Sequence, residues 1–228
     1  MSTNIIGSLS LIVWLPIFFG IVVLMIGQDG REQLVRWVSL VGSILGALVL
    51  VPVWTQFDQT QTGFQFVESM PWIDTFNINY HLGIDGLSLI LILLNVVTTI
   101  LVIIAGWEVI TKRVSQYYAS FLILSGIING VFCSLDAMLF YVFFEATLIP
   151  MFLIIGIWGG PNRVYAAIKF FLYTLAGSLL TLVALIYLYR LSAGSFSIAD
   201  FYLLPIPQSA QLLIFIALFA AFAVKIPM

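Results

Sequence analysis

Glu145 is the single carboxylate in the otherwise apolar stretch Leu139-Phe140-Tyr141-Val142-Phe143-Phe144-Glu145-Ala146-Thr147-Leu148-Ile149-Pro150-Met151-Phe152-Leu153. An ionisable group near a bilayer centre costs about 2.5 to 3.5 kcal/mol even on lenient insertion scales, so it marks a functional site with a partner to be sought, the ordinary alternative being a neutral acid hydrogen-bonded to a neighbouring helix. Burial favours the neutral acid and a nearby ammonium favours the carboxylate, so a partner that changes position can load and unload a proton. Lys225 is the buried cation late in the chain. Pro150, five residues after Glu145, carries no amide hydrogen and leaves the carbonyl of Ala146 without its helical donor, which predicts a kink beside the acid. Pro227 frees the carbonyl of Ala223 in the same way, which predicts a broken helix at Lys225. Lys169, with Tyr173, Thr174 and Ser178 at helical spacing, fits either an interface anchor, as does Arg163, or a point of proton access.

Other polar residues suit ordinary roles. Asp85 before Gly86-Leu87-Ser88 and Asp136 after Ser134-Leu135 fit helix caps, because a carboxylate accepts from the free amides of a first turn. Glu108 fits an i,i+4 pair with Lys112. His81 fits a loop hydrogen bond, and Cys133 a small buried apolar side chain. One cysteine and one histidine are too few ligands for haem, an iron-sulfur cluster or structural zinc. No metal or cofactor site is therefore expected in this chain, and any redox chemistry must lie elsewhere.

The elements that hold these residues follow from hydropathy. Of 228 residues, 62% are hydrophobic and 8% charged, against about 25% charged in soluble domains. Long unbroken apolar runs exclude a barrel, whose strands alternate over about ten residues. Seven transmembrane helices are expected near 5–26, 34–55, 86–106, 114–134, 136–158, 165–189 and 209–226. With the N-terminus outside, the inner side holds Arg31, Arg36, Lys112, Arg113, Arg163 and Lys169 and the outer side only Arg190, as the positive-inside rule requires. The outer loop 56–84 has no Lys or Arg and carries turn formers at Thr62-Gly63 and Met70-Pro71, so it reads as an ordered hairpin or cap. Gly42, Gly46 and Ala47 offer a small face for close helix packing. A net charge of -2 without a basic block argues against nucleic acid and polybasic lipid binding. Glu145 lies nine residues after Asp136, about 14 Å along a helix and so near mid-membrane, whereas Lys225 lies roughly 24 Å into the last span.

Four segments carry a specific resemblance: His81-Leu82-Gly83-Ile84-Asp85-Gly86-Leu87-Ser88-Leu89; Phe143 to Met151 continuing to Trp158-Gly159; Lys169-Phe170-Phe171-Leu172-Tyr173-Thr174; and Ala221-Phe222-Ala223-Val224-Lys225-Ile226-Pro227. In this order they resemble the subunit M (chain 4) family of antiporter-like, proton-translocating subunits of NADH-quinone oxidoreductase, respiratory complex I. The resemblance implies a fold of fourteen transmembrane helices with two inverted five-helix repeats. Residues 1–113 would supply the first three helices with the loop 56–84, and 114–228 helices four to seven of the first repeat. The chain would then be an N-terminal fragment ending inside helix seven, where Ile226-Pro227-Met228 gives no polar flank.

The resemblance further implies that Glu145 is the essential acid of helix five and Lys225 the lysine of a broken helix seven, together an electrostatic switch, with Lys169 a lesser participant in proton entry. NADH, FMN, iron-sulfur clusters and quinone would be bound by partner subunits of the respiratory chain, whose quinone reduction drives the switch. The expectation is an all-α polytopic protein of the bacterial plasma membrane, in contact with lipid and other complex I membrane subunits. It would be a non-redox translocase subunit of the oxidoreductase. The rival readings are a Mrp-type cation/proton antiporter subunit, a membrane-bound hydrogenase subunit, or a non-transporting scaffold in which Glu145 and Lys225 merely join helices.

Overall fold

A computed structural model describes residues 7–27 and 30–226. Seven helical spans long and apolar enough to cross a membrane occur among them, at or within a few residues of the expected boundaries. The chain forms two compact units, one of residues 1–68 and 82–133, the other of 69–81 and 134–228. By packing, the fourth span groups with the first three.

The first unit holds α1 (Ser8–Ile26), α2 (Glu32–Gln56), α3 (Gly86–Val109) and α4 (Val114–Cys133). Small residues let these helices approach closely. A methyl group on Gly126 of α4 would come within 2.5 Å of the Val13 carbonyl of α1, and one on Gly42 of α2 within 2.6 Å of the Phe19 ring. Val23, Val35, Ile103, Val114, Tyr118, Ala119 and Leu122 form the core where all four helices meet. Large apolar side chains such as Trp14, Phe18 and Leu101 remain exposed, as lipid-facing positions require.

Pro16 lies inside α1 and cannot donate to the carbonyl of Ile12. The buried Asn129 amide of α4 supplies the missing donor at 3.1 Å. Its carbonyl in turn accepts from Asn95 of α3 at 2.7 Å, and the chain of bonds continues from Thr99 to the Ser125 hydroxyl at 2.8 Å. One proline defect thus becomes a polar bridge between three helices, in a medium that offers no water to satisfy the carbonyl.

The loop 56–84 folds as a hairpin, with β1 (Gln65–Ile73) and β2 (Ile78–Ile84) joined by the single turn Asp74–Phe76. Met70-Pro71 is not its turn: both residues lie within β1, on a two-stranded sheet whose open edge tolerates a residue without N–H. The reversal falls at Asn77, whose φ of 52° suits Asn better than most side chains. Glu68 of β1 accepts from the backbone amides of Leu9 at 2.7 Å and Ser10 at 3.2 Å, capping the positive end of α1. Glu68→Ala is expected to cost about 1 to 2 kcal/mol through the lost charge-assisted bonds. The check is thermal unfolding in detergent, and a melting temperature equal to the parent's would contradict the cap.

Asp85 caps α3 by accepting from Ser88 N at 2.7 Å. That bond holds its carboxyl below the usual carboxylate range, against the opposing effect of partial burial.

The second unit holds the hairpin tip, α5 (Ala137–Ala146), α6 (Leu148–Trp158), α7 (Arg163–Leu191), the short α8 (Ile198–Phe201) and α9 (Gln208–Lys225). Asp136, 2% exposed, caps α5 through the amides of Met138 and Leu139 and also accepts from Asn79 of the hairpin. Burial pushes its carboxyl above the usual range, while those three bonds oppose the shift. His81 lies in β2 and uses its carbonyl to accept from Leu135. Around this cap, Ile78, Ala137, Leu185 and Phe196 form a core with Tyr189 stacked on Phe196 at 4.2 Å, which fixes where α5 begins.

Candidate functional site

The fifth span is broken at Thr147, between α5 and α6. Pro150 in the first turn of α6 explains the break, since a proline is tolerated there and not deeper in a helix. Glu145 is therefore the penultimate residue of a ten-residue helix. Both its carboxylate oxygens are buried and neither has a hydrogen-bond partner. Buried polar atoms in native structures are nearly always paired, so this carboxyl needs a proton, a donor or a cation.

Lys225 is the last residue of α9. Ile226 leaves the helix at φ -89° and ψ 118°, the extended region that a following proline imposes. Pro227 itself lies outside the described residues. The ammonium sits 3.5 Å from the centroid of the Phe144 ring and 3.4 Å from the Phe144 carbonyl. A desolvated cation-π contact is worth about 2 kcal/mol, and the carbonyl adds a charge-assisted bond. The Thr147 hydroxyl donates to the same carbonyl at 2.6 Å. The exposed backbone acceptor used at the break is thus that of Phe144, two residues before the Ala146 carbonyl expected from Pro150.

No ion pair within 4.0 Å joins Glu145 to Lys225; among the described residues Arg36 and Glu32 form such a pair. The structure thus seats the Lys225 ammonium of α9 on Phe144, the residue before Glu145 in α5, without an ion pair between the two charged groups. Lys169 is exposed and lies 5.8 Å from the ring of Tyr165, one helical turn earlier on α7. It is not part of this cluster. Tyr173 shares its exposed face, whereas Thr174 and Ser178 are buried and bond back to carbonyls of their own helix.

Phe144 and Thr147 carry the local geometry and were not singled out by sequence. Their signal was present: Phe140 and Phe144 stand one turn apart and stack at 5.4 Å, and Thr147 sits between an acid and a proline. Phe222, three residues before Lys225, meets Phe144 edge-on at 5.9 Å. Position of α9 is fixed by α7, where a methyl group on Gly177 would lie 3.0 Å from Val224 Cβ. Gly177→Val is expected to cost about 1 to 3 kcal/mol by overpacking and to move Lys225 off Phe144. Thermal unfolding and lysine-dependent activity read the two effects separately, and wild-type values in both would contradict this packing. Among the described residues no three His, Cys, Asp or Glu side chains come together to hold a metal.

Residues 34–134 match the family model described as NADH-ubiquinone oxidoreductase chain 4, amino terminus. Residues 134–228 match the model NADH:quinone oxidoreductase/Mrp antiporter, TM. The two matches meet where the compact units also part. The chain is 41% identical to NADH-quinone oxidoreductase subunit M of Rhodobacter capsulatus, over 96% of this chain and 45% of that protein. It is 40% identical to NADH-ubiquinone oxidoreductase chain 4 of Arabidopsis thaliana, over 97% of this chain and 44% of that protein. Its fold matches a chain of respiratory complex I from Thermus thermophilus with bound NADH, at a TM-score of 0.83 and 28% identity, covering 96% of this chain and 44% of that one. The chain spans about 45% of the length of these curated relatives. With both adjoining models and these relatives in agreement, the chain belongs to the antiporter-like membrane subunits of the NADH:quinone oxidoreductase and Mrp antiporter family, in its chain 4 or subunit M branch.

Proposed function

We propose that this chain is part of a proton-translocating membrane subunit of NADH-quinone oxidoreductase, in which quinone reduction on partner subunits drives proton transfer through Glu145 and Lys225. The observation that carries the reading is the buried carboxyl without a partner beside an ammonium held on the neighbouring residue. A lysine on such a seat can pair with the acid or withdraw from it, and each state favours a different protonation of Glu145. In this reading NADH, FMN, iron-sulfur clusters and quinone belong to other subunits. The chain acts as a non-redox translocase component, multi-pass in a bacterial plasma membrane, and packs against other complex I membrane subunits. Lys169, exposed beside Tyr165, serves proton entry in a secondary role.

The Mrp-type reading is supported by the family model over 134–228, but the chain 4 match over 34–134 favours the oxidoreductase. A scaffold role for the pair fits less well, because a structural staple of two charges needs the contact they lack here. The test is protons moved per NADH oxidised in sealed membranes whose assembled complex has Glu145 or Lys225 neutralised. A large loss at both positions supports the reading, an unaltered ratio on neutralising Glu145 with normal assembly excludes it, and an unaltered ratio on neutralising Lys225 alone removes that residue from the route.

A further inference from the structure

Phe144 holds more than its share of the local contacts. One face of its surroundings is Phe140, stacked with an interplanar angle of 18°; Phe222 of α9 meets it at 71°; and the Lys225 ammonium lies over the ring at 3.5 Å. The carbonyl of the same residue accepts from both Lys225 and Thr147, so one residue offers the lysine a ring face and a fixed dipole. Both attractions depend on positive charge and weaken when the amine is neutral. The seat therefore selects the protonated lysine, and it holds that lysine beyond ion-pair distance of Glu145.

We propose that Phe144 is a positioning residue: an aromatic seat that parks protonated Lys225 beside Glu145, so that pairing requires the ammonium to leave the ring. This rests on the proton-transfer reading above. It adds that the resting position of Lys225 is set by aromatic and backbone groups, and that the strength of this seat tunes how often the charged pair forms. Weakening the seat shifts the lysine toward the acid, and strengthening it holds the two apart.

The experiment uses the assembled complex that carries this chain, with Phe144→Leu, which removes the ring, and Phe144→Tyr, which keeps it. The first readout is the infrared carboxyl and carboxylate absorption of Glu145, identified by its loss in Glu145→Gln. The second is protons moved per NADH across pH. Phe144→Leu is expected to increase the ion-paired carboxylate signal and to move the half-maximal pH of proton movement by about one unit, a tenfold change in proton affinity. Phe144→Tyr is expected to restore most of both values. An unchanged Glu145 band in Phe144→Leu overturns the seat, as does equal disturbance by Leu and Tyr, which would mark a packing effect. The infrared readout needs no pumping, so the seat fails or stands apart from the proton-transfer reading, which fails only if Glu145→Gln keeps full pumping. If Phe144→Leu does not assemble, Phe144→Met supplies the same comparison.

Discussion

Lys225→Ala slows coupled proton movement by about a hundredfold or more, at the low end of what a positioned proton donor or acceptor contributes. The substitution removes the cation placed against the Phe144 carbonyl and ring. It also leaves Glu145, whose oxygens already lack partners, with no mobile charge to change its proton affinity. Lys225→Arg keeps the charge but not the function: a guanidinium stacks well on an aromatic face yet does not release its proton. The arginine complex is therefore expected to assemble like the parent and to pump poorly. Both results are read from the rate of proton uptake against NADH oxidation in sealed membranes, and full coupling in either variant would remove Lys225 from the route.

Glu145→Gln has an effect of the same order, for a different reason. Glutamine keeps the size and the acceptor oxygen but cannot bind or release a proton in this range. A structural carboxyl that only filled space would tolerate it well. A proton carrier would not, so coupled transfer falls about a hundredfold or more while the helices still pack. Glu145→Asp shortens the reach by one methylene and is expected to retain part of the rate. That order, glutamate above aspartate above glutamine, is what distinguishes proton transfer from packing.

Much of the fold was legible because lipid leaves few options. Backbone groups must be satisfied within each span, so length and apolarity alone locate helices; a hairpin in 56–84 was expected as well, but from turn formers at Thr62-Gly63 and Met70-Pro71 that lie outside the actual reversal at Asn77. Asp85 and Asp136 read as caps because capping is local, within three residues of the helix start. What stayed hidden was long-range. The Asn129 bond to Ile12 spans 117 residues and the Glu68 cap 59, and no local pattern joins their ends. At the site, the acid stood out by its cost, and Pro150 pointed to a break. The seat of Lys225 on Phe144 depends on how α9 packs on α7 at Gly177 and Val224, which spacing along the chain does not encode. Depth along straight helices separated the two charged residues by about 10 Å; the broken fifth span and the long lysine side chain close that gap to Phe144, and stop one residue short of the acid.

The central claim is that Glu145 carries a proton. Its most direct test is the number of protons moved per NADH oxidised by sealed membranes carrying Glu145→Gln, with assembly verified and the parent complex alongside. The account predicts a clear fall in that ratio, and a ratio equal to the parent's in a normally assembled complex would contradict it.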